Sequence, residues 1–189
     1  MAFQAEYLRS ITGPADLPED EFPQFAFIGR SNVGKSSFIN AITGISNLCR
    51  SGSTPGVTKK VNLFLINKKF YFADLPGYGY AKLSYKERKE LEKLIFWYLS
   101  EPLNHFQRIF FLIDAQVGPT SNDQDVLKYL LEAGLPTTLI LSKTDKLKNS
   151  EKTRQINQIK QQIPPHFPIV PFSVKTGEGK KDVHKILGI

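Results

Sequence analysis

The sequence predicts an α/β fold: a mostly parallel six-stranded sheet with one antiparallel strand and helices on both faces. Two observations carry most of that prediction. Six apolar runs of strand length recur along the chain, and most are continuous rather than alternating. Strands of that kind are buried on both faces. Helical patterns lie between most of the runs, and strands alternating with helices imply parallel crossovers.

The first run, residues 25–28, leads directly into Gly29, Arg30, Ser31, Asn32, Val33, Gly34, Lys35 and Ser36, which fit the pattern G-x-x-x-x-G-K-[ST]. Glycines let backbone N–H groups close around anionic oxygens without a Cβ in the way. Lys35 is placed to reach the β and γ phosphates of a nucleotide, and the Ser36 hydroxyl to ligate Mg²⁺. Residues 37–42 begin a helix whose positive dipole end faces those phosphates. Strand, loop and helix in this order predict a P-loop nucleotide-binding fold.

The next segment, Ser53, Thr54, Pro55, Gly56, Val57 and Thr58, is a turn-rich loop in which Thr58 offers magnesium a second hydroxyl. Residues 61–66 and 70–73 are strands. Their connection, Asn67, Lys68 and Lys69, is too short for a crossover and must be a hairpin, the source of the antiparallel strand. Asp74, Leu75, Pro76 and Gly77 follow. Asp74 is expected to hold the magnesium shell through water. Gly77 is expected to offer its N–H to a γ-phosphate and to swing away when that phosphate is lost. Ser84 then opens a capping box with Glu87, and Leu91, Leu94, Ile95 and Tyr98 repeat at helical spacing. After a strand at 108–113, Ser121 starts a helix carrying Val126, Leu127, Leu130 and Leu131, with Gly134 as its stop.

A strand at 137–141 runs into Ser142, Lys143, Thr144 and Asp145. A carboxylate at Asp145 can accept from both N1–H and the 2-amino group of guanine, two donors that adenine does not present on that edge. Lys143 is expected to lay its stem over the base. A site whose buried polar groups the wrong base leaves unpaired discriminates by roughly 10⁴-fold. A helix with Ile156, Ile159 and Ile163, a strand at 168–172 and a helix with Val183, Ile186 and Leu187 complete the chain. Ser173 is expected to steady the base pocket, with the Val174 backbone near the guanine carbonyl.

The chain of 189 residues fits one domain, with residues 1–21 as an N-terminal extension packed on a nucleotide-binding domain of residues 22–189. No window approaches a membrane span and residues 1–10 do not read as a leader, so a cytoplasmic protein is expected; a monomer is expected as well. The single cysteine, Cys49, excludes an internal disulfide, and His105, His166 and His184 lie too far apart for a zinc site. The net charge of +7 suits a polyanion such as RNA or an acidic membrane. It also fits ordinary solvated helix faces, where Lys86, Arg88, Lys89 and Lys93 pair with Glu87, Glu90 and Glu92. The same two readings apply to Lys180, Lys181 and Lys185.

At this point the chain resembles the EngB (YihA or YsxC) family of bacterial GTPases. Its most specific phrases are GRSNVGKSSFIN, STPGVTKKVNLF, DLPGYGYAK and the LIDAQVGP segment at 112–119. The resemblance implies five nucleotide motifs: residues 29–36; Gly56, Val57, Thr58, Lys59 and Lys60; residues 74–77; residues 142–145; and Phe172, Ser173 and Val174. It implies GTP and GDP as ligands, magnesium on Ser36, Thr58 and Asp74, and hydrolysis resting on Lys35, Thr58 and Gly77. The large ribosomal subunit and its RNA would be the partner, with a role in division and septation. Two positions depart from the family pattern. Ser142 stands where Asn or Thr is usual, and Val174 where alanine is common.

Tyr78 follows Gly77, where many fast GTPases carry a glutamine that orients the attacking water. A phenol lacks that paired donor and acceptor, so slow intrinsic hydrolysis is expected. Tyr78 and Tyr80 are either packing residues or, among Lys59, Lys60, Lys82 and Lys86, a surface for stacking RNA bases. Asn32 either helps to hold a potassium ion beside the phosphates or tolerates an unusual backbone conformation. A nucleotide kinase and a division-linked switch without RNA contact are the alternative classes.

Overall fold

The computed structural model describes residues 3–49, 60–80 and 83–189. Among these, the strands are β1 (Ala5–Ile11), β2 (Gln24–Gly29), β3 (Val61–Ile66), β4 (Phe70–Asp74), β5 (Phe106–Asp114), β6 (Thr137–Ser142) and β7 (Ile169–Pro171). The helices are α1 (Lys35–Thr43), α2 (Tyr85–Ser100), α3 (Ser121–Glu132), α4 (Asn149–Gln161) and α5 (Lys180–Leu187). The sheet runs β1-β3-β4-β2-β5-β6-β7, seven strands rather than the six expected. The additional strand is β1, from the N-terminal segment, whose residues are mostly exposed or half-buried and carry no continuous apolar run. It pairs antiparallel with β3, which is also antiparallel to β4, so β3 is the one reversed strand of the mostly parallel sheet.

Alternation within each buried strand divides the core. Phe25 and Phe27 of β2 point into a cluster with Phe38, Phe72, Phe110 and Phe172 beneath α1 and α5. Ala26 and Ile28 point to the opposite face, packed by α2, α3 and α4. The aromatic side is closely packed, with Phe27 and Phe110 stacked at 5.4 Å between centroids and Phe38 and Phe172 edge-to-face at 4.6 Å.

The central strand β2 is flanked by β4 on one side and β5 on the other, so successive connections leave it in opposite directions. That reversal opens a crevice at the carboxyl ends of the strands, where ligands of open α/β sheets bind. The hairpin between β3 and β4 turns through Asn67 and Lys68, both at positive φ (50° and 55°). Capping follows the predicted chemistry at α2, where Ser84 and Glu87 form a reciprocal box. At α3 the cap is Thr120 rather than Ser121, because the box needs its acidic partner three residues on and Asp123 fills that place.

Candidate functional site

The loop between β2 and α1 is shaped by two left-handed residues, Asn32 at φ 65° and Gly34 at φ 101°. Gly34 is the N-cap of α1 and has no side chain to cap it, so no side chain at that position satisfies the first amides of the helix. Those amides and the helix dipole attract anions. Asn32 adopts a left-handed conformation of the kind asparagine tolerates. Lys35 is the first residue of α1, and its ammonium forms an ion pair with Asp74, the last residue of β4; both side chains are about nine-tenths buried. Cys49 is buried nearby. Burial first, then the Asp74 carboxylate, push its thiol pKa well up.

The segment after Asp74 lies directly on the phosphate loop. Leu75 N–H donates to the Phe27 carbonyl at 3.1 Å, and Ser31 N–H donates to the Tyr78 carbonyl at 2.8 Å. A Cβ on Gly77 would come within 3.1 Å of the Ser31 backbone, so any side chain there would push the two segments apart by a few tenths of an ångström. Tyr78 is 5% exposed, and its hydroxyl donates to Asp123 Oδ1 at 2.6 Å. Burial first, then the Asp123 charge and hydrogen bond, raise its pKa well above the usual phenol value. Tyr78 is therefore a packing residue here and not an exposed stacking platform. Asp123 also accepts from the N–H and hydroxyl of Thr120, so one carboxylate joins the segment after Gly77 to the start of α3. Replacing Tyr78 by phenylalanine should leave Asp123 Oδ1 buried without that partner. The expected loss is about 1–3 kcal/mol in unfolding free energy, read from denaturant titration.

On the other flank, Ser142 ends β6, and Lys143, Thr144 and Asp145 follow it into a short 3-10 turn. Ser142 Oγ donates to the Val33 carbonyl at 2.7 Å, which ties this segment to the phosphate loop without the longer side chain usual at the position. Lys143, at φ 60°, stretches its stem between β6 and the loop: Nζ donates to the Asn32 carbonyl at 2.8 Å and to Asp114 Oδ2 at 2.7 Å. Thr144 is buried and Asp145 is exposed. Ser173 Oγ donates to Asp145 Oδ1 at 2.7 Å, and Phe172 N–H donates to the Leu141 carbonyl, which registers the two segments. Val174 is 53% exposed beside them.

The structure thus brings together residues 29–36, 74–77, 142–145 and 172–174 at the carboxyl ends of the parallel strands. Gly56, Val57, Thr58 and Lys59 lie outside the described residues, as do Lys82 and the loop around Ser53. Lys60 is exposed at the start of β3. The sequence reading missed Asp114, Asp123, Lys152 and Glu178. Asp114 lies within the 112–119 phrase, and Asp123 closes the capping box with Thr120, a local signal three residues apart; Lys152 and Glu178 carry none. Glu178 accepts from Thr144 Oγ1 at 2.5 Å and from Lys152 Nζ at 2.7 Å. Burial works to raise the Glu178 pKa, but the bonds from Lys152 and Thr144 together outweigh it and hold the carboxyl below its usual range. A folded pKa lowered in this way contributes stability above the unfolded value and loses it as pH falls through the folded one, so the contact is intact near neutrality.

A cavity of about 410 Å³ flanks the loop on the Asp114 side, bounded by Arg30, Asn32, Tyr80, Asp114, Asp123 and Lys143. Lys35 and Asp74 do not line it. Among the described residues no three His, Cys, Asp or Glu side chains group as a metal site, and no helix is long and apolar enough to cross a membrane.

Comparison with known proteins agrees with this arrangement. The family model for 50S ribosome-binding GTPases matches residues 24–143. A probable GTP-binding protein EngB of Clostridium kluyveri is 39% identical over 186 residues, covering 97% of this chain and 94% of the relative. Its counterpart in Thermosipho africanus is 40% identical over 172 residues, covering 91% and 88%. A crystal structure of a probable GTP-binding protein engB superposes with a TM-score of 0.72 at 25% identity, over 87% of this chain and 96% of that one. Era bound to MgGDPNP and nucleotides 1506–1542 of 16S ribosomal RNA shares the fold, with a TM-score of 0.68 at 23% identity over 89% and 56%. With GTP-binding relatives over nearly the whole chain, the kinase alternative is set aside.

Proposed function

The chain belongs to the EngB family of GTP-binding proteins and is a GTPase. From that premise we propose that it is a slow, magnesium-dependent GTP switch, cytoplasmic and monomeric, which assists assembly of the large ribosomal subunit and is thereby needed for normal division and septation. The observation that carries the switch reading is the double tether of Ser142 to Val33 and Lys143 to Asn32, which joins a base-reading segment to a phosphate loop. On this reading Gly29 to Ser36 hold the phosphates, Asp145 and Lys143 hold guanine with Ser173 and Val174 beside them, and Lys35 and Gly77 face the γ-phosphate.

The donor set at the head of α1 suits magnesium. Mg²⁺ keeps several waters and takes one or two protein oxygens plus phosphate, and Ser36 with Asp74 supplies one hydroxyl and one carboxylate. Thr58 would add the second hydroxyl, and a potassium ion near Asn32 belongs to the same proposal. Once bound, the metal would cancel charge on the phosphates while Lys35 and the loop amides position them. The burial of Tyr78 against Asp123 supports slow intrinsic turnover, because its hydroxyl is already committed to that carboxylate and a phenol lacks the paired donor and acceptor that orient water.

The ribosomal part rests on the description of the matching family model and on the net charge of +7. Co-sedimentation of the protein with separated large and small subunits, loaded with GDP or a non-hydrolysable GTP analogue, tests it. Association with the large subunit that depends on the nucleotide is expected. No binding in either state would move the role to a protein partner in division.

A further inference from the structure

We propose that Glu178 is a positioning residue for guanine recognition, a clamp that sets the Asp145 carboxylate by gripping its neighbours from three directions. The proposal rests on the reading that Asp145 takes the guanine edge. Glu178 lies in the turn between β7 and α5. Its backbone carbonyl accepts from Ser173 N–H at 3.2 Å, while its carboxylate accepts from Thr144 Oγ1 at 2.5 Å and from Lys152 Nζ at 2.7 Å on both oxygens. One residue therefore joins the turn after β7, the segment after β6, and α4.

What these contacts hold is the immediate frame of Asp145. Thr144 precedes Asp145 and is 1% exposed; Ser173 is fully buried, and its hydroxyl donates to Asp145 Oδ1 at 2.7 Å. Ser173 Oγ also accepts from Thr176 N–H at 3.1 Å, which fixes the direction of its own proton toward Asp145. Asp145 itself is exposed and ready for a ligand. Two parallel donors on a base edge demand both oxygens of one carboxylate in a fixed plane. Such a constellation works only when the supporting contacts hold it within about 0.5 Å.

A purely structural role predicts something different. The Lys152–Glu178 pair is part-exposed, with side chains 28% and 34% accessible, and pairs of that kind add little to stability. If the clamp matters, its mark is in nucleotide discrimination rather than in melting temperature.

The test is stopped-flow dissociation of fluorescent GDP and of fluorescent inosine diphosphate, which lacks the 2-amino group, from the full chain. Glu178→Ala should release GDP about 10-fold faster, the scale of one lost charge-assisted bond. It should release inosine diphosphate with a smaller change, so that the ratio of the two rates narrows. Glu178→Gln, which keeps an acceptor for Thr144, should recover part of the loss. Lys152→Met should shift the ratio in the same direction, and it reads the clamp from the cation side if Glu178→Ala melts early. Wild-type rates and ratio in both Glu178→Ala and Lys152→Met would overturn the proposal. Asp145→Asn, run in parallel, separates the two levels. It should exchange GDP for xanthosine diphosphate, and if it does so while the clamp variants stay at wild type, the clamp alone is wrong. If Asp145→Asn keeps its guanine preference, the base assignment itself fails.

Discussion

Lys35→Ala is expected to lower single-turnover GTP hydrolysis by about 10³-fold, at the upper end of what removing one preorganised electrostatic donor costs. Three observations place it there. Lys35 opens α1, so its charge adds to the helix amides; its side chain is only 11% exposed, so water replaces it poorly; and its ammonium already sits against a carboxylate at the crevice. Phosphoryl transfer offers the protein little covalent work, which leaves positioning and charge cancellation as its means. The same substitution strands Asp74, 7% exposed, without its counter-charge, at a cost of about 3 kcal/mol or more. The two effects separate in the double variant Lys35→Ala/Asp74→Asn, which should regain stability in denaturant titration and remain inactive. Hydrolysis by Lys35→Ala within tenfold of the wild type would remove Lys35 from the γ-phosphate.

The contrast between what was legible and what was not follows from where the determining contacts lie. Residues 29–36 and 74–77 carry their chemistry within a few consecutive positions, and continuous apolar strands such as β2 and β6 announce burial on both faces. The edge strand β1 has neither property. Its register is set by β3, fifty and more residues away, and by Asn67, whose side chain accepts from Gln4 N–H. Glu178 and the Tyr78 contact of Asp123 were invisible for the same reason: Thr144 and Tyr78 lie 34 and 45 positions from these carboxylates. Tyr78 was open between packing and RNA stacking because both uses want an aromatic ring. Its burial against α3 decides the matter, and any RNA contact from this segment passes to other residues.

Gly179→Ala is expected to destabilise the fold by about 2–5 kcal/mol, adding the left-handed penalty of roughly 1–2 kcal/mol to overpacking of roughly 1–3 kcal/mol. Gly179 is the N-cap of α5 at φ 76°, and a Cβ there would meet the Pro171 carbonyl oxygen at 2.2 Å and Val170 Cγ1 at 3.1 Å. The obstacle is backbone of β7, which is hydrogen-bonded into the sheet and cannot yield as a flexible side chain would. Gly177, two residues earlier, provides the comparison. It has nearly the same φ, 77°, but a Cβ there meets nothing within 4 Å. Gly177→Ala should therefore cost only the conformational part, about 1–2 kcal/mol. The difference between the two unfolding midpoints isolates the contact with β7, and equal losses would mean that α5 does not pack as described. The strain also has a functional direction. Relieving it requires the turn to move away from β7, and that turn carries Glu178 and Ser173, so Gly179→Ala should loosen the Asp145 pocket in the variants that remain folded.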